Sequence, residues 1–185
     1  TVVSAPNGYL VFYDNAEFAT IAANFPVYNV TKDIYFTTIQ AAINAASDGD
    51  TINVAAGTYN ENVTVDKQLT IVGASADTVT VQAFNTSTPC FHITADGVSL
   101  SGFTVTGALD GERHAILLDN TDNCTISNNI ATNNYWGITL YNAANNTISG
   151  NTANSNTAQG IGLVGAYTTG NQIVGNTASN NASNG

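Results

Sequence analysis

One four-residue motif occurs five times along the chain and constrains its fold more than any other feature. Each copy has an aliphatic residue at its second position and Gly or Asn at its fourth. The copies are Thr70–Gly73, Ser99–Gly102, Thr125–Asn128, Thr147–Gly150 and Gln172–Gly175. The aliphatic residues stand at positions 71, 100, 126, 148 and 173, so the spacings are 29, 26, 22 and 25 residues. A period in this range predicts a solenoid, in which each repeat buries its apolar face against its neighbours.

The fourth motif position predicts a repeated corner. Gly and Asn reach positive φ at low cost, so we expect the chain to turn in the same way after each aliphatic residue. These corner residues are Gly73, Gly102, Asn128, Gly150 and Gly175.

Asn recurs at two further positions of the last three repeats. One set lies three residues after the motif's Ile and the other lies eight residues after it. The sets are Asn129, Asn151 and Asn176, and Asn134, Asn156 and Asn181. Stacked coils lie about 4.8 Å apart, so inward Asn side chains at one corner can donate and accept along the stack. We interpret both sets as Asn ladders; the alternative is that these residues serve turns alone.

The segments between the corners have the pattern of short strands. Gly137–Leu140 and Gly160–Leu163 alternate aliphatic residues at i and i+2, which places both side chains on one face. About three such strands fit in each repeat, and the late repeats lack helical periodicity. The sequence therefore predicts an all-β chain, a single-stranded parallel β-helix of about five coils.

An amphipathic helix is predicted before the first coil. Ile39, Ala42, Ile43 and Ala46 recur at i, i+3, i+4 and i+7. We place the helix at 37–48, with Thr37 or Thr38 as its N-cap and Asp48-Gly49 at its end. Because an open β-helix end exposes apolar core and strand edges, this helix is the expected N-terminal cap.

The first 36 residues do not repeat and divide the chain into an extension (1–36) and a β-helix (37–185). The extension has two apolar runs, Tyr9–Tyr13 and Phe25–Val30, and Ala16 to Asn24 between them is a short helix or a loop. No apolar cover follows the last coil, so we expect either a longer natural chain or an end covered by another copy. Strand addition by residues 1–36 of a neighbour would build a homo-oligomer or a head-to-tail polymer.

The composition and net charge limit the classes of partner that the chain can bind. The net charge is −10 with three basic residues, which argues against nucleic acid and anionic membranes. Charged residues make up 9% of the chain, so hydroxyl and amide side chains carry the surface, as suits an exported protein. The chain has no Met and no stretch long enough to span a membrane, so we expect a mature extracellular or cell-surface chain whose signal peptide has been removed.

Six sequons permit N-glycosylation, at Asn29, Asn62, Asn85, Asn123, Asn145 and Asn181.

The two cysteines are too few for a disulfide framework. In the strand register, Cys124 points inward beside Ile126, and Cys90 points outward beside Phe91. Two independent thiols are therefore expected rather than a bridge.

Two parts of the sequence resemble known β-helix proteins. Tyr35–Ala46, followed by Gly49–Val54 and Gly57–Tyr59, resembles the opening of the right-handed parallel β-helices of the pectin-lyase-like superfamily. The later Gly-Ile-x-Leu and Asn-x-x-Ile-x-x-Asn coils resemble the NosD-like repeats of carbohydrate-associated surface proteins. The resemblance covers about residues 35–185 and implies a right-handed fold. It does not select a function, since the superfamily contains lyases, hydrolases, esterases, adhesins and structural proteins.

Catalysis is poorly supported by the residue types. Polysaccharide cleavage on this fold needs carboxylates or a basic residue with a bound cation, yet no Asp, Glu, Lys, Arg or His occurs from Asn123 to Gly185. Asn120-Thr121-Asp122 matches a short element of the polygalacturonase signature, whose other elements are missing.

One mixed cluster, Asp110–His114, lies in the insertion after Val105, with Asp119 and Asp122 nearby. Its oxygens could hold Ca²⁺, with Asp110, Glu112, Asp119 or Asp122 as ligands. Alternatively it supplies an acid–base pair, or it is a solvated loop with a local ion pair of Arg113. No other cofactor and no metal site is predicted, and His92 is expected to be a surface strand residue rather than a ligand.

Aromatic side chains gather near corners of the C-terminal coils, namely Tyr135, Trp136, Tyr141 and Tyr167. They could stack on sugar rings, anchor a protein contact or pack over a corner. Two functions follow. The first is a non-catalytic extracellular structural protein, a β-helical subunit of a cell-surface layer or self-assembling filament. The alternative is a carbohydrate-binding or polysaccharide-cleaving β-helix with a site near Arg113, Tyr135 and Trp136.

Overall fold

The structure, a computed structural model, describes residues 2–4, 10–12, 25–111 and 113–183. In chain order its strands are β1 (Val2–Ser4), β2 (Leu10–Phe12), β3 (Val27–Asn29), β4 (Ile34–Phe36), β5 (Thr51–Val54), β6 (Gly57–Asn60), β7 (Val63–Val65), β8 (Thr70–Gly73), β9 (Val79–Gln82), β10 (Phe91–Ile93), β11 (Ser99–Ser101), β12 (Thr104–Thr106), β13 (His114–Asp119), β14 (Thr125–Ser127), β15 (Ile130–Thr132), β16 (Trp136–Tyr141), β17 (Thr147–Ser149), β18 (Thr152–Asn154), β19 (Ile161–Val164) and β20 (Gln172–Val174). One helix, α1 (Ile39–Ala45), lies between β4 and β5.

The strands from β5 onward form three parallel sheets, and each coil gives one strand to each sheet. Sheet A contains β5, β8, β11, β14, β17 and β20; sheet B contains β6, β9, β12, β15 and β18; sheet C contains β7, β10, β13, β16 and β19. The predicted right-handed parallel β-helix of about five coils is therefore confirmed. The five motif copies lie side by side in sheet A, since Ile71 pairs with Leu100, and Ile126 pairs with Leu100 and Ile148.

The core is a column of aliphatic residues that points inward from all three sheets. Strand alternation produces it: in β13, Ile116 and Leu118 are fully buried while Leu117 between them is only half-buried. Phe91 and Phe103 fill the centre, with ring centroids 5.4 Å apart. Each fully buried aliphatic side chain contributes about 1.5–3 kcal/mol, so this column supplies most of the stability.

The corners agree with the expected φ at four of the five motif copies. The φ values are 82° at Gly102, 54° at Asn128, 63° at Gly150 and 63° at Gly175. Gly73 is the exception, because it ends strand β8 without a positive φ. Glycine is required at position 73 because the backbone there lies against the backbone of the next coil. A Cβ at this position would lie 2.2 Å from the carbonyl oxygen of Gly102.

Helix α1 covers the N-terminal end of the coils. The Thr38 side chain caps it by accepting from the N–H of Ala41 at 3.1 Å, and the Glu61 carboxylate accepts from the N–H groups of Ile39 and Gln40. The helix is shorter than the predicted 37–48 because Thr38 and Ala46, its cap residues, both have extended backbone conformations. Lysines bind its last carbonyls. Lys32 Nζ donates to Ala45 O at 2.6 Å, and Lys67 Nζ donates to the carbonyls of residues 43 and 44 at 2.8 and 3.0 Å.

Part of the N-terminal extension pairs with the chain's own sheet A. Strand β3 adds antiparallel to β5, with Val27 opposite Val54, and β4, β2 and β1 follow beyond β3. The second apolar run therefore covers the N-terminal edge of sheet A within the same chain. The segment from Ala16 to Asn24 lies outside the described residues.

Both cysteines are free and buried, as expected for independent thiols. The predicted outward orientation of Cys90 is wrong. Cys90 stands at the corner before β10, where the alternation has not yet begun, and its Sγ lies 3.5 Å from the carbonyl oxygen of Val81 inside the coil. Burial raises the pKa of the Cys90 thiol to about 12. In the described part of the chain no helix is long and apolar enough to cross a membrane.

Candidate binding surfaces

A groove lies on the outer side of sheet C, where strand alternation turns side chains of β13, β16 and β19 away from the core. It has a volume of about 290 Å³ and is lined by His114, Leu117, Asp119, Trp136, Thr139, Tyr141 and Val164. We call it the outer groove. Gly162 makes room for the indole, because a Cβ there would lie 2.8 Å from the Trp136 ring.

Two hydrogen-bonded pairs organise the polar groups of the outer groove. His92 Nε2 lies 3.0 Å from Asp119 Oδ2, and Asn120 Nδ2 donates to the other oxygen of that carboxylate at 2.7 Å. His114 Nδ1 lies 2.8 Å from Thr139 Oγ1, and its ring packs against Trp136 with centroids 5.6 Å apart. Burial, with the charge of Arg113, lowers the pKa of His114 to about 4, so its imidazole is neutral at pH 7.

The Trp136 side chain, which lines the outer groove, has a buried polar atom without a partner in the described part of the chain. Trp136 Nε1 is buried, and no acceptor within the described residues reaches it. A buried indole N–H normally finds a hydrogen-bond partner. The groove lining thus combines a carboxylate, a neutral imidazole and the exposed ring of Tyr141. Such a set suits an uncharged polar ring that carries hydroxyl groups.

The residues of the predicted mixed cluster are not gathered at one site. The Asp110 carboxylate accepts from the Thr86 hydroxyl, whereas Asp122 Oδ1 accepts from the N–H of Ala144 at 2.9 Å and links two coils. Arg113 is exposed, and no carboxylate of the described residues lies within ion-pair distance of it. Glu112 lies outside the described residues, and Tyr135 is half-buried but does not line the outer groove. In the described part of the chain no three His, Cys, Asp or Glu side chains could hold one metal ion, so the set proposed for Ca²⁺ is not assembled there.

The Asn side chains form three ladders along the solenoid axis. In the first ladder, Asn151 Oδ1 accepts from the N–H and Nδ2 of Asn129 at 2.9 and 3.2 Å, and Asn176 Oδ1 accepts from the same groups of Asn151 at 2.8 and 3.0 Å. The second ladder repeats this geometry with Asn134, Asn156 and Asn181. A third, not recognised in the sequence, joins Asn146 to Asn171. The spacing of five residues, 146–151–156 and 171–176–181, was the signal that could have found it.

The last described coil exposes apolar side chains on its outer side. A cavity of about 280 Å³ there is lined by Ile161, Leu163, Ile173, Gly175, Asn176 and Ala178. We call this the C-terminal face. Leu163 is 50% exposed and Ile173 is 40% exposed, although their counterparts one coil earlier, Leu140 and Ile148, are fully buried.

The sequons differ in accessibility. Asn29 is fully buried and donates to Asp50 Oδ2 at 2.9 Å, which excludes its glycosylation in the folded protein. The side-chain nitrogens of Asn62 and Asn181 donate to backbone carbonyls. The remaining three sequon residues are exposed, namely Asn85, Asn123 and Asn145.

Three comparisons place the chain among known proteins. A family model described as periplasmic copper-binding protein (NosD) matches residues 43–185. A cell surface glycoprotein of Methanothermus fervidus is 34% identical over 115 residues, which is 61% of this chain and 18% of that protein. The chain therefore matches less than a fifth of that relative's length. A crystal structure of a pectin methylesterase variant in complex with a hexasaccharide has a TM-score of 0.47 and 20% identity, and the match covers 62% of this chain and 45% of that one.

Copper, which the family description names, does not fit the described residues. Copper sites use His, Cys and Met ligands, and the chain has two His, two Cys and no Met. Both thiols are buried, and His92 and His114 are each bonded to a different oxygen partner, Asp119 and Thr139. Among the described residues, no group of three ligating side chains converges.

Proposed function

This chain belongs to the NosD family of parallel β-helix proteins, and we propose that it is a non-catalytic structural solenoid of a cell surface, a subunit of a surface layer or filament. The name of the Methanothermus fervidus relative supports an extracellular surface location. Its description as a glycoprotein makes Asn85, Asn123 and Asn145 the candidate glycosylation sites.

The observation that carries the structural role is how the late coils use their polar side chains. From Asn123 to Gly185 the chain has no Asp, Glu, Lys, Arg or His. The buried Asn side chains of these coils are all engaged in bonds between coils. General acid–base chemistry needs side chains that titrate, and these coils hold none in the neutral range. We therefore assign the buried polar side chains of the late coils to holding neighbouring coils together.

Cleavage assays on acidic and neutral polysaccharides test this role. We expect no new reducing ends and no unsaturated products. Cleavage that is lost in Arg113→Ala or in Asp119→Asn would contradict the structural proposal, because Asp119 lines the outer groove and Arg113 adjoins His114 of the same groove. Tyr167→Ala, a change at a 75% exposed residue, is the matched surface control.

A second candidate function is the binding of an uncharged saccharide in the outer groove. The polar lining of the groove favours it, because the partly exposed Asp119 carboxylate would accept from a ligand hydroxyl. Aromatic faces such as Tyr141 pack on sugar rings. The net charge of −10 disfavours a polyanionic glycan.

Intrinsic fluorescence tests the saccharide, since Trp136 is the chain's single Trp. Titration with neutral oligosaccharides built on glucose, mannose or galactose should give a saturable change in its emission. Asp119→Asn should weaken the affinity about tenfold, the usual effect of losing one charge-assisted hydrogen bond. Absence of a saturable change, or an Asp119→Asn protein that binds as well as the parent, excludes binding at this groove.

A further inference from the structure

The loop between β9 and β10 presents an exposed sequon, Asn85-Thr86-Ser87, in a fixed conformation. Asn62, one coil earlier, holds this loop: its Oδ1 accepts from the N–H of Asn85 at 2.7 Å, and its Nδ2 donates to the carbonyl oxygens of residues 85 and 89 at 3.0 and 2.9 Å. Asn85 Oδ1 accepts from the N–H of Ser87 at 3.0 Å. The side-chain nitrogen of Asn85 makes no hydrogen bond to a described residue, so it is free to react.

The other two exposed sequons are built into the stack of coils. Asn145 precedes Asn146, a fully buried ladder residue whose N–H donates to the next rung at 2.9 Å, and the third residue of this sequon begins β17. Asn123 precedes the buried Cys124, whose N–H donates to Asn146 Oδ1 at 2.7 Å, and the third residue of that sequon begins β14. An enzyme that modifies the amide has to surround the whole sequon, so these two are closed to it until strands of sheet A separate.

The sequon of Asn85 has no such restraint. Thr86 and Ser87 lie outside the strands, and Ser87 is exposed. The Ser87 hydroxyl makes a long hydrogen bond, 3.5 Å, to Asp110 Oδ2 at the surface. All three sequon residues are therefore accessible while the coils stay intact.

An apolar ring stands directly beside this sequon. Phe84 is 83% exposed, the highest value of any large hydrophobic residue in the described ranges. On the corresponding loop of the next coil, Leu109 is 47% exposed, and the N–H of Asp110 donates to the carbonyl oxygen of Thr86 at 3.1 Å. Sugar rings pack their C–H faces on exposed aromatic rings, so a saccharide on Asn85 would cover the Phe84 ring.

We propose that Asn85 carries an N-linked glycan whose first sugar packs on the ring of Phe84. The donor is a saccharide linked through phosphate to a lipid. Asn85 Nδ2 attacks the anomeric carbon of this donor and forms a C–N bond while the C–O bond to the phosphate breaks. The lipid phosphate leaves with the electron pair of that bond, and one amide proton passes to a base of the transferase. This inference rests on the cell-surface location proposed above.

Glycan transfer to the folded full chain tests the site. The chain is incubated with a single-subunit oligosaccharyltransferase and a lipid-pyrophosphate-linked oligosaccharide that has chitobiose at its reducing end, and peptide mapping by mass spectrometry gives the occupancy of each sequon. We expect occupancy at Asn85 at least about tenfold above that at Asn123 or Asn145, because those two are reached through local unfolding. Asn85→Gln should lose the modification.

Two synthetic peptides, with the sequences of residues 82–90 and 142–150, separate the effect of the fold from that of the sequon. Both peptides should be modified. Similar occupancy of Asn85 and Asn145 in the folded chain, or none at Asn85, overturns the inference. A 142–150 peptide that is not modified overturns the fold as the cause of the selection.

Thermal unfolding of the glycoprotein, trimmed to one N-acetylglucosamine, tests the packing on Phe84. The trimmed glycoprotein should melt about 2–4 °C above the unmodified chain, the shift expected of a contact as strong as an aromatic pair. Phe84→Ser should remove this gain, whereas Tyr167→Ser, at a 75% exposed residue outside any sequon, should keep it. A gain that survives Phe84→Ser overturns the packing. The polysaccharide assay uses the unmodified chain, so the inference and the structural role can fail separately.

Discussion

Truncation of the central rung, Asn151→Ala, should be among the most destabilising polar substitutions in this chain. Asn151 is 1% exposed, and its side chain takes part in four hydrogen bonds. The variant leaves the N–H of Asn129 without its acceptor in a dry interior and also removes the bonds of the Asn151 side chain to Asn129 Nδ2 and to Ile126 O. One orphaned buried donor costs about 1–3 kcal/mol and each further lost bond about 1 kcal/mol, so we expect a loss of about 4 kcal/mol in the free energy of unfolding.

Urea unfolding followed by circular dichroism measures this loss, with Asn176→Ala as the matched control. Asn176 has the same residue type and the same ladder geometry, but it lies half-buried at the C-terminal face, where water can replace its bonds. We expect a loss of about 1 kcal/mol there, the net value of an ordinary hydrogen bond. Equal losses in the two variants, or a loss below about 1 kcal/mol at Asn151, would refute the view that the ladders stabilise the stack because they are buried.

Further changes probe close approach, pH and thiol burial. Gly73→Ala should lower the free energy of unfolding by more than about 3 kcal/mol, because the new Cβ would clash with the backbone of Gly102. Gly111→Ala has open space around its Cβ and a φ of 59°, so it should lower this free energy by about 1 kcal/mol. Equal unfolding midpoints of the two variants would contradict this difference. The pKa of His114 falls from 6.5 to about 4 on folding, so the unfolded chain binds a proton between these pH values that the folded chain does not. Stability should therefore drop by about 3 kcal/mol as the pH falls from 6.5 to 4, and His114→Gln should remove that part of the pH dependence in urea unfolding. Neither buried thiol should react with Ellman's reagent at pH 8 until urea unfolds the chain; rapid labelling of native Cys90 would disprove its inward position.

Periodic features were predictable from the sequence because a solenoid converts spacing along the chain into neighbours in space. The motif around Ile71 and Ile126 therefore specified sheet A, and the positions of Asn129 and Asn151 specified a ladder before any contact was known. The departures occur where the period is interrupted. Gly73 precedes a longer turn, and Cys90 precedes a strand after an insertion, so neither followed the regular alternation.

The outer groove was harder to anticipate. His92 lies one coil before His114 and Asp119, which share strand β13, and His114 looked like part of a charged loop with Asp110 and Arg113. Only the pairing of β13 with β10 and β16 separates His114 and Asp119 from that loop and places them beside Trp136. Similarly, nothing in the second apolar run showed that β3 would pair with the chain's own β5 rather than with a neighbour.

Residue-resolved amide hydrogen exchange tests the central claim most directly, namely that buried polar Asn ladders hold the coils together. The account predicts slow exchange at the inner rungs, Asn129, Asn134, Asn146, Asn151 and Asn156, and near-random-coil exchange at the backbone N–H groups of Asn171, Asn176 and Asn181. Inner rungs that exchange as fast as the terminal ones would contradict the ladders.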